Sequence, residues 1–174
     1  MTDPTRVEMA SDPTTRRFSG VAIHGNTPFD TSFISHIEGN LWQGGCEDGL
    51  VLPKNIKHVV SLYPWERYTI KHEVDTELYV RMYDAVGPVD TDQIWDLAQW
   101  VTDCVHDGPT LVHCQAGLNR SSLLAAAALY RLSNYRLYNQ HRKPSEIVEL
   151  LREKRSPAVL CNPSFLNWVL EIGS

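Results

Sequence analysis

At 174 residues, 43% hydrophobic and 21% charged, the chain has the length of one domain and enough apolar mass for a core without disulfide or metal support. Sixteen Lys and Arg against 21 Asp and Glu give a formal charge of −5 with no long block of either sign, which disfavours a general nucleic-acid or membrane-surface binder. No apolar run approaches a membrane span, the polar start Met1 to Arg6 is not a secretory signal, and four scattered cysteines without a C-x-x-C pair exclude an obvious zinc site, so a monomer in a reducing, cytoplasmic setting is expected.

Residues 1–20, rich in Thr, Asp, Pro and Arg without apolar periodicity, read as a disordered tail ahead of a single domain over 21–174. Asn40 to Gln43, Lys57 to Leu62 and Glu77 to Tyr83 read as strands. Between residues 93 and 106, Ile94, Leu97, Ala98, Val101, Cys104 and Val105 recur at three- and four-residue steps, one face of a helix, with capping side chains at Asp90, Thr91 and Asp92. His106 to Pro109 ends that helix, and Thr110 to His113 is apolar enough for a central strand. Ser121 to Leu132 is a strong helix former; Pro144 opens a further helix burying Ile147, Val148, Leu150 and Leu151, and Asn162-Pro163 precedes a last one through Leu170. The fold class is α/β: a central mixed, mainly parallel sheet flanked by helices, with a phosphate-binding loop between a central strand and a helix.

That loop is the run His113-Cys114-Gln115-Ala116-Gly117-Leu118-Asn119-Arg120-Ser121. It joins a thiol, a guanidinium and the peptide N–H groups of Gln115, Ala116, Gly117, Leu118 and Asn119 at a helix N-terminus, so it can bind a phosphoryl dianion and attack it. Arg120 has the planar fork to hold two phosphate oxygens, and Gly117 supplies a turn with positive φ. Ser121 can donate a hydrogen bond to the Cys114 sulfur and assist its departure; His113 orients the loop rather than carrying protons.

An alkoxide or phenoxide leaving group needs a proton, and Asp84 is the first choice as acid. It follows the Glu77 to Tyr83 strand, 30 residues before Cys114, and opens a loop containing Gly87 and Pro88. Asp90 and Asp92 are the alternatives, although their place ahead of a helix suits capping. Cys46, Cys104 and Cys161 read as buried structural cysteines, and the tryptophans as packing groups, with only Trp65 placed to touch a substrate.

The Cys114 to Ser121 run resembles the signature loop of the cysteine-dependent dual-specificity protein phosphatases, within the tyrosine phosphatase superfamily. The likeness spans roughly residues 36–172 and includes Asn40 to Gly45, Lys57 to Leu62, and Glu149 to Arg155 followed by Asn162 and Phe165. It implies a hydrolase acting on phosphotyrosine, phosphoserine and phosphothreonine in proteins, without cofactor or metal, through a phosphocysteine on Cys114. Asp84 would protonate the leaving group and then activate water, Arg120 would bind phosphate, and Ser121 would assist thiolate departure. Asn119 stands where many members carry Gly or Ser, and a similar Asn-Arg pair occurs in related RNA 5′-triphosphatases, which makes an RNA 5′ end the alternative substrate. A catalytically weak phosphate-binding module is the non-enzymatic alternative.

Overall fold

The computed structural model describes residues 11–134 and 141–174. In chain order they form β1 (Arg17–Val21), β2 (Pro28–Ser32), β3 (Ile34–Glu38), β4 (Leu41–Gly44), β5 (His58–Ser61), β6 (Thr76–Tyr79), α1 (Thr91–Asp107), β7 (Thr110–His113), α2 (Arg120–Ser133), α3 (Pro144–Lys154) and α4 (Pro163–Leu170). The expected mixed, mainly parallel sheet is present, in the order β3-β4-β7-β5-β6, and only β3 runs antiparallel to its neighbour.

Register places the site. Gly44 of β4 and Ser61 of β5 both pair with His113 of β7, so three parallel strands end level with one another. Cys114 N–H then donates to Gly44 O at 3.0 Å, and Leu62 N–H to His113 O at 2.8 Å, before the chain leaves the sheet. The loop thus starts at the carboxyl ends of the strands, where open α/β sheets bind ligands.

Strand alternation divides the core. Val60 and Val112 face one side, packed against α1, α2, α3 and α4, while Val59 and Leu111 face the other, covered by Leu50, Leu52, Ile56 and Tyr68 from the irregular chain around β5. The alanine-rich α2 has no polar face over Leu123 to Leu129, every residue being buried, and it contacts α1, α3 and α4 as well as β4 and β7. In α1 five of the six residues the periodicity selects, Ile94, Leu97, Ala98, Val101 and Cys104, are buried together with Thr102, Val105 is partly buried, and Asp90 Oδ1 accepts the Gln93 N–H at 3.1 Å as its cap.

Two expectations need correction. Residues 1–10 of the expected tail lie outside the described residues, but residues 11–20 are held: Val51 N–H donates to Ser11 O at 2.7 Å, Ile34 N–H to Pro13 O at 3.0 Å, and β1 begins at Arg17 to form a hairpin with β2. Phe18 anchors that stretch, its ring stacked on Phe33 at 4.8 Å and edge-on to Phe29 at 5.2 Å. The strand expected through Tyr83 ends at Tyr79, because its partner β5 runs out at Ser61 after a last bond from Val80 N–H. Asp84 therefore stands beyond the sheet, in irregular chain.

Arg155, just past α3, ties these parts together from a buried position. Its Nε donates to Gly117 O at 2.9 Å and its Nη2 to Ala116 O at 3.3 Å, while Nη1 lies within 3.1 to 3.3 Å of Ser35 Oγ and the carbonyls of Ser32, Phe33 and Gln43. Burial pushes the guanidinium down to about 10, which leaves it charged at neutral pH. Replacing it with Met removes the shared donor of several buried carbonyls. Arg155→Met should cost about 3 kcal/mol or more, read as a lowered urea midpoint.

His113 gives a pH test of the same core. It is buried, with Nδ1 3.1 Å from Cys114 O and its ring against Tyr68, and burial pushes it from 6.5 down to about 4. Between those values the unfolded chain binds the proton and the folded chain does not. Stability should therefore fall as pH drops from about 6.5 to about 4, by up to about 1.4 kcal/mol per pH unit from this residue. Urea midpoints across that window should lose this component of the slope in His113→Asn.

Candidate active site

The loop from Cys114 to Asn119 is shaped by what its carbonyls are bonded to. His113 Nδ1 meets Cys114 O, Cys46 N–H donates to Gln115 O at 2.9 Å, Arg155 reaches Ala116 O and Gly117 O, and Gln43 Nε2 also reaches Gly117 O at 2.9 Å. Leu160 N–H takes Leu118 O at 2.8 Å, and Leu123 N–H takes Asn119 O. With these carbonyls drawn to surrounding protein, the intervening N–H groups are the donors of the concave side, a nest suited to an anion. Gly117 turns at φ +72°, and a Cβ there would meet Gly44 C at 2.4 Å and Gly45 N at 2.6 Å. The Gly44-Gly45 pair is the floor on which the loop rests.

Cys114 is buried, and its Sγ lies 3.2 Å from Ser121 Oγ, the partner expected for it. Gln43 Nε2 donates to Ser121 Oγ at 2.7 Å, so the hydroxyl accepts from Gln43 and has its own hydrogen left for the sulfur. Arg120, the first residue of α2, is buried as well; Nη1 donates to Met82 O at 3.1 Å and the guanidinium carbon sits 5.0 Å from the Tyr63 ring centroid. Its Nε is buried without a partner among the described residues. A fixed guanidinium with an unpaired buried donor has the chemistry to hold an anion.

Asn119 holds the N-cap position of α2 yet makes no side-chain capping bond. Its Nδ2 instead donates to Asp84 Oδ2 at 3.1 Å and contacts Cys161 Sγ at 3.3 Å, while its Oδ1 accepts Asn162 N–H at 2.9 Å. The helix N-terminus keeps its unsatisfied N–H groups and dipole for a ligand. Asn162, the cap of α4, donates to Asp84 Oδ1 at 2.8 Å and to Ala85 O at 3.0 Å. Asp84 is thereby fixed beside the loop, as the reading of it as acid requires. Asp90 is occupied as the α1 cap and Asp92 lies in the first turn of that helix.

Gln43, Arg155, Asn162 and His24, whose Nε2 is 3.1 Å from Asp84 Oδ1, had no role assigned from sequence. Gln43, Arg155 and Asn162 lie in segments singled out as strand, helix and closing turn, but nothing local marks them as partners of the loop. Trp65 is half exposed, between Tyr63 at 4.8 Å and Tyr83 at 6.1 Å, with Arg81 over its ring. One cluster of groups able to ligate a metal occurs among the described residues, His58, Asp75 and Asp107; it lies at the other end of β5, with Lys57 Nζ 3.3 Å from each carboxylate.

The sequence model of the dual specificity phosphatase catalytic domain matches residues 50–174. Among solved structures, the chain is similar to OH1 from the Orf virus, a tyrosine phosphatase, with 18% identity and a TM-score of 0.61 over 80% of this chain and 85% of that one. DUSP15 gives 17% identity and a TM-score of 0.62 over 80% and 86%. Human DUSP28 gives the same identity and score over 80% and 93%. No curated protein matches the sequence. These likenesses show a shared fold, and the family match covers most of the chain, which belongs to the dual specificity phosphatase catalytic-domain family.

Proposed function

We propose that this phosphatase hydrolyses phosphotyrosine, together with phosphoserine and phosphothreonine, in proteins through a phosphocysteine on Cys114, and that a single domain does so. The observation that supports this most is the Cys114 Sγ to Ser121 Oγ contact inside a loop whose Ala116 and Gly117 carbonyls are bonded to Arg155. In the first step Sγ attacks phosphorus, the P–O bond to the substrate breaks, and Asp84 gives its proton to the departing oxygen. Arg120 and the loop N–H groups carry the equatorial oxygens. In the second step Asp84, now a carboxylate, takes a proton from water as that water attacks phosphorus. The P–S bond breaks, Ser121 donates to the emerging thiolate, and inorganic phosphate leaves.

A reducing, cytoplasmic compartment suits this chemistry, and all four cysteines are unpaired. No helix among the described residues is long and apolar enough to cross a membrane. Asn119, the reason to consider an RNA 5′ end, is engaged within the protein by Asp84, Asn162 and Cys161, so its presence calls for no RNA.

Purified enzyme should release phosphate from phosphopeptides in the presence of a metal chelator and be inhibited by vanadate, with turnover reduced about 1,000-fold or more in Cys114→Ser. Equal turnover by the variant would end the phosphocysteine reading, and γ-phosphate release from triphosphorylated RNA in preference to phosphopeptides would replace the substrate class. Asp84→Asn should lower kcat about 100-fold for poor leaving groups such as phenyl phosphate and far less for 4-nitrophenyl phosphate. A loss independent of the leaving group would remove Asp84 from the acid role.

A further inference from the structure

The β1–β2 hairpin lies before residue 50 and hence outside the family match. Its turn is closed by Ala22 N–H donating to Thr27 O at 2.8 Å and by positive φ at Gly25 and Asn26. The residues entering the turn are arranged against ordinary burial preference. Val21 is 63% exposed and Ile23 is 91% exposed, whereas Ala22 is buried and the His24 side chain is only 14% exposed. A turn that sets two large aliphatic groups in water and an imidazole inside is not arranged for apolar burial.

The His24 imidazole goes to the residue read here as the acid. Nε2 lies 3.1 Å from Asp84 Oδ1 and 3.3 Å from Asp84 O, so one ring nitrogen spans the side chain and the backbone of the same residue. Asn162 meets Oδ1 from the α4 cap and Asn119 meets Oδ2 from the phosphate-binding loop; His24 is the contact contributed by the hairpin. The chain around Asp84 has no sheet ladder to fix it, and side chains supply what holds it: Arg120 at Met82 O, Asn162 at Ala85 O, and Ser164 Oγ accepting Gly87 N–H. Among these, the contacts to the carboxylate itself decide where the transferred proton sits. General acid catalysis depends on that placement to a fraction of an ångström.

We propose that His24 is a positioning residue for Asp84, and that the amino-terminal hairpin is therefore part of the catalytic unit rather than an appendage to it. The inference rests on Asp84 being the general acid. It assigns His24 no contact with substrate: the ring donates through Nε2–H and orients the carboxyl group.

The test compares wild type, His24→Ala, His24→Gln, Asp84→Asn and the double variant His24→Ala/Asp84→Asn, all in the full chain. Steady-state kcat and KM are measured for aryl phosphates from 4-nitrophenyl to phenyl phosphate, and thermal melting confirms folding. His24→Ala should lower kcat for phenyl phosphate about tenfold while KM and 4-nitrophenyl phosphate turnover change little. His24→Gln, which places an amide N–H near the Nε2 position, should recover most of that loss. In the Asp84→Asn background His24→Ala should add nothing further, the non-additivity of groups acting through one another. An equal loss for every leaving group, no recovery in His24→Gln, or additive losses in the double variant would overturn the proposal. If Asp84→Asn shows the leaving-group signature and His24→Ala does not, the hairpin inference alone fails; if neither shows it, the acid assignment fails and the role of His24 with it.

Discussion

The site depends on a buried guanidinium that has no carboxylate among its hydrogen-bond partners in the described residues. Arg155 is surrounded by carbonyl oxygens from the phosphate-binding loop, from the β2–β3 junction and from β4, with Ser35 Oγ among them. Removing a charge from water costs several kcal/mol, and here carbonyl dipoles supply the compensation. The geometry this enforces is the useful product: carbonyls that would otherwise face the cradle are drawn backward, and the floor of β4 is fastened to the loop above it. Among the described residues no acid is bonded to Arg155, so its charge stands against the carbonyls of the Cys114 loop without a neutralising partner there. One residue therefore shapes the anion site and contributes to its potential.

A second layer acts at the rim and is built from amides. Asn119 and Asn162 are both N-cap residues, but only Asn162 caps its helix. Asn119 leaves α2 without a side-chain cap and uses its amide to bind the Asp84 segment to the loop. A Gly at that position would have no amide to offer, and a Ser hydroxyl is shorter by one polar group. The residue that looks anomalous within the loop is thus the one that ties the Asp84 segment to the Cys114 loop.

The sequence discloses the loop because all its chemistry falls within nine consecutive residues between an apolar strand and an alanine-rich helix. Helix boundaries are legible for a similar reason: periodicity, Asp90, Pro144 and Asn162-Pro163 are local signals. The supports of the site are not local. Gln43, Arg155, Asn162 and His24 come from four separate segments, and only strand order and the return of the chain after α3 bring them to one place. The length of β6 is equally hidden, since it is set by where β5 stops. The hairpin escapes detection because Arg17 to Val21 lacks apolar alternation and is held by pairing with β2 and by the Phe18 ring against Phe29 and Phe33, partners from later in the chain.

The same arrangement sets one thiol out of four apart from the rest. Cys46 touches the loop through its backbone, yet burial and the neighbouring Glu66, Asp48 and Glu47 push its thiol well above the ordinary range. Cys104 lies on the buried face of α1, where burial also raises it. Cys161 contacts an amide that is already committed to Asp84 and Asn162. Cys114 alone opens the loop into α2, with the Ser121 hydroxyl 3.2 Å from its sulfur, Arg120 at the end of that loop and Arg155 bonded to its carbonyls. These surroundings are held in place by the fold itself, so what sets Cys114 apart from the other three thiols is its position.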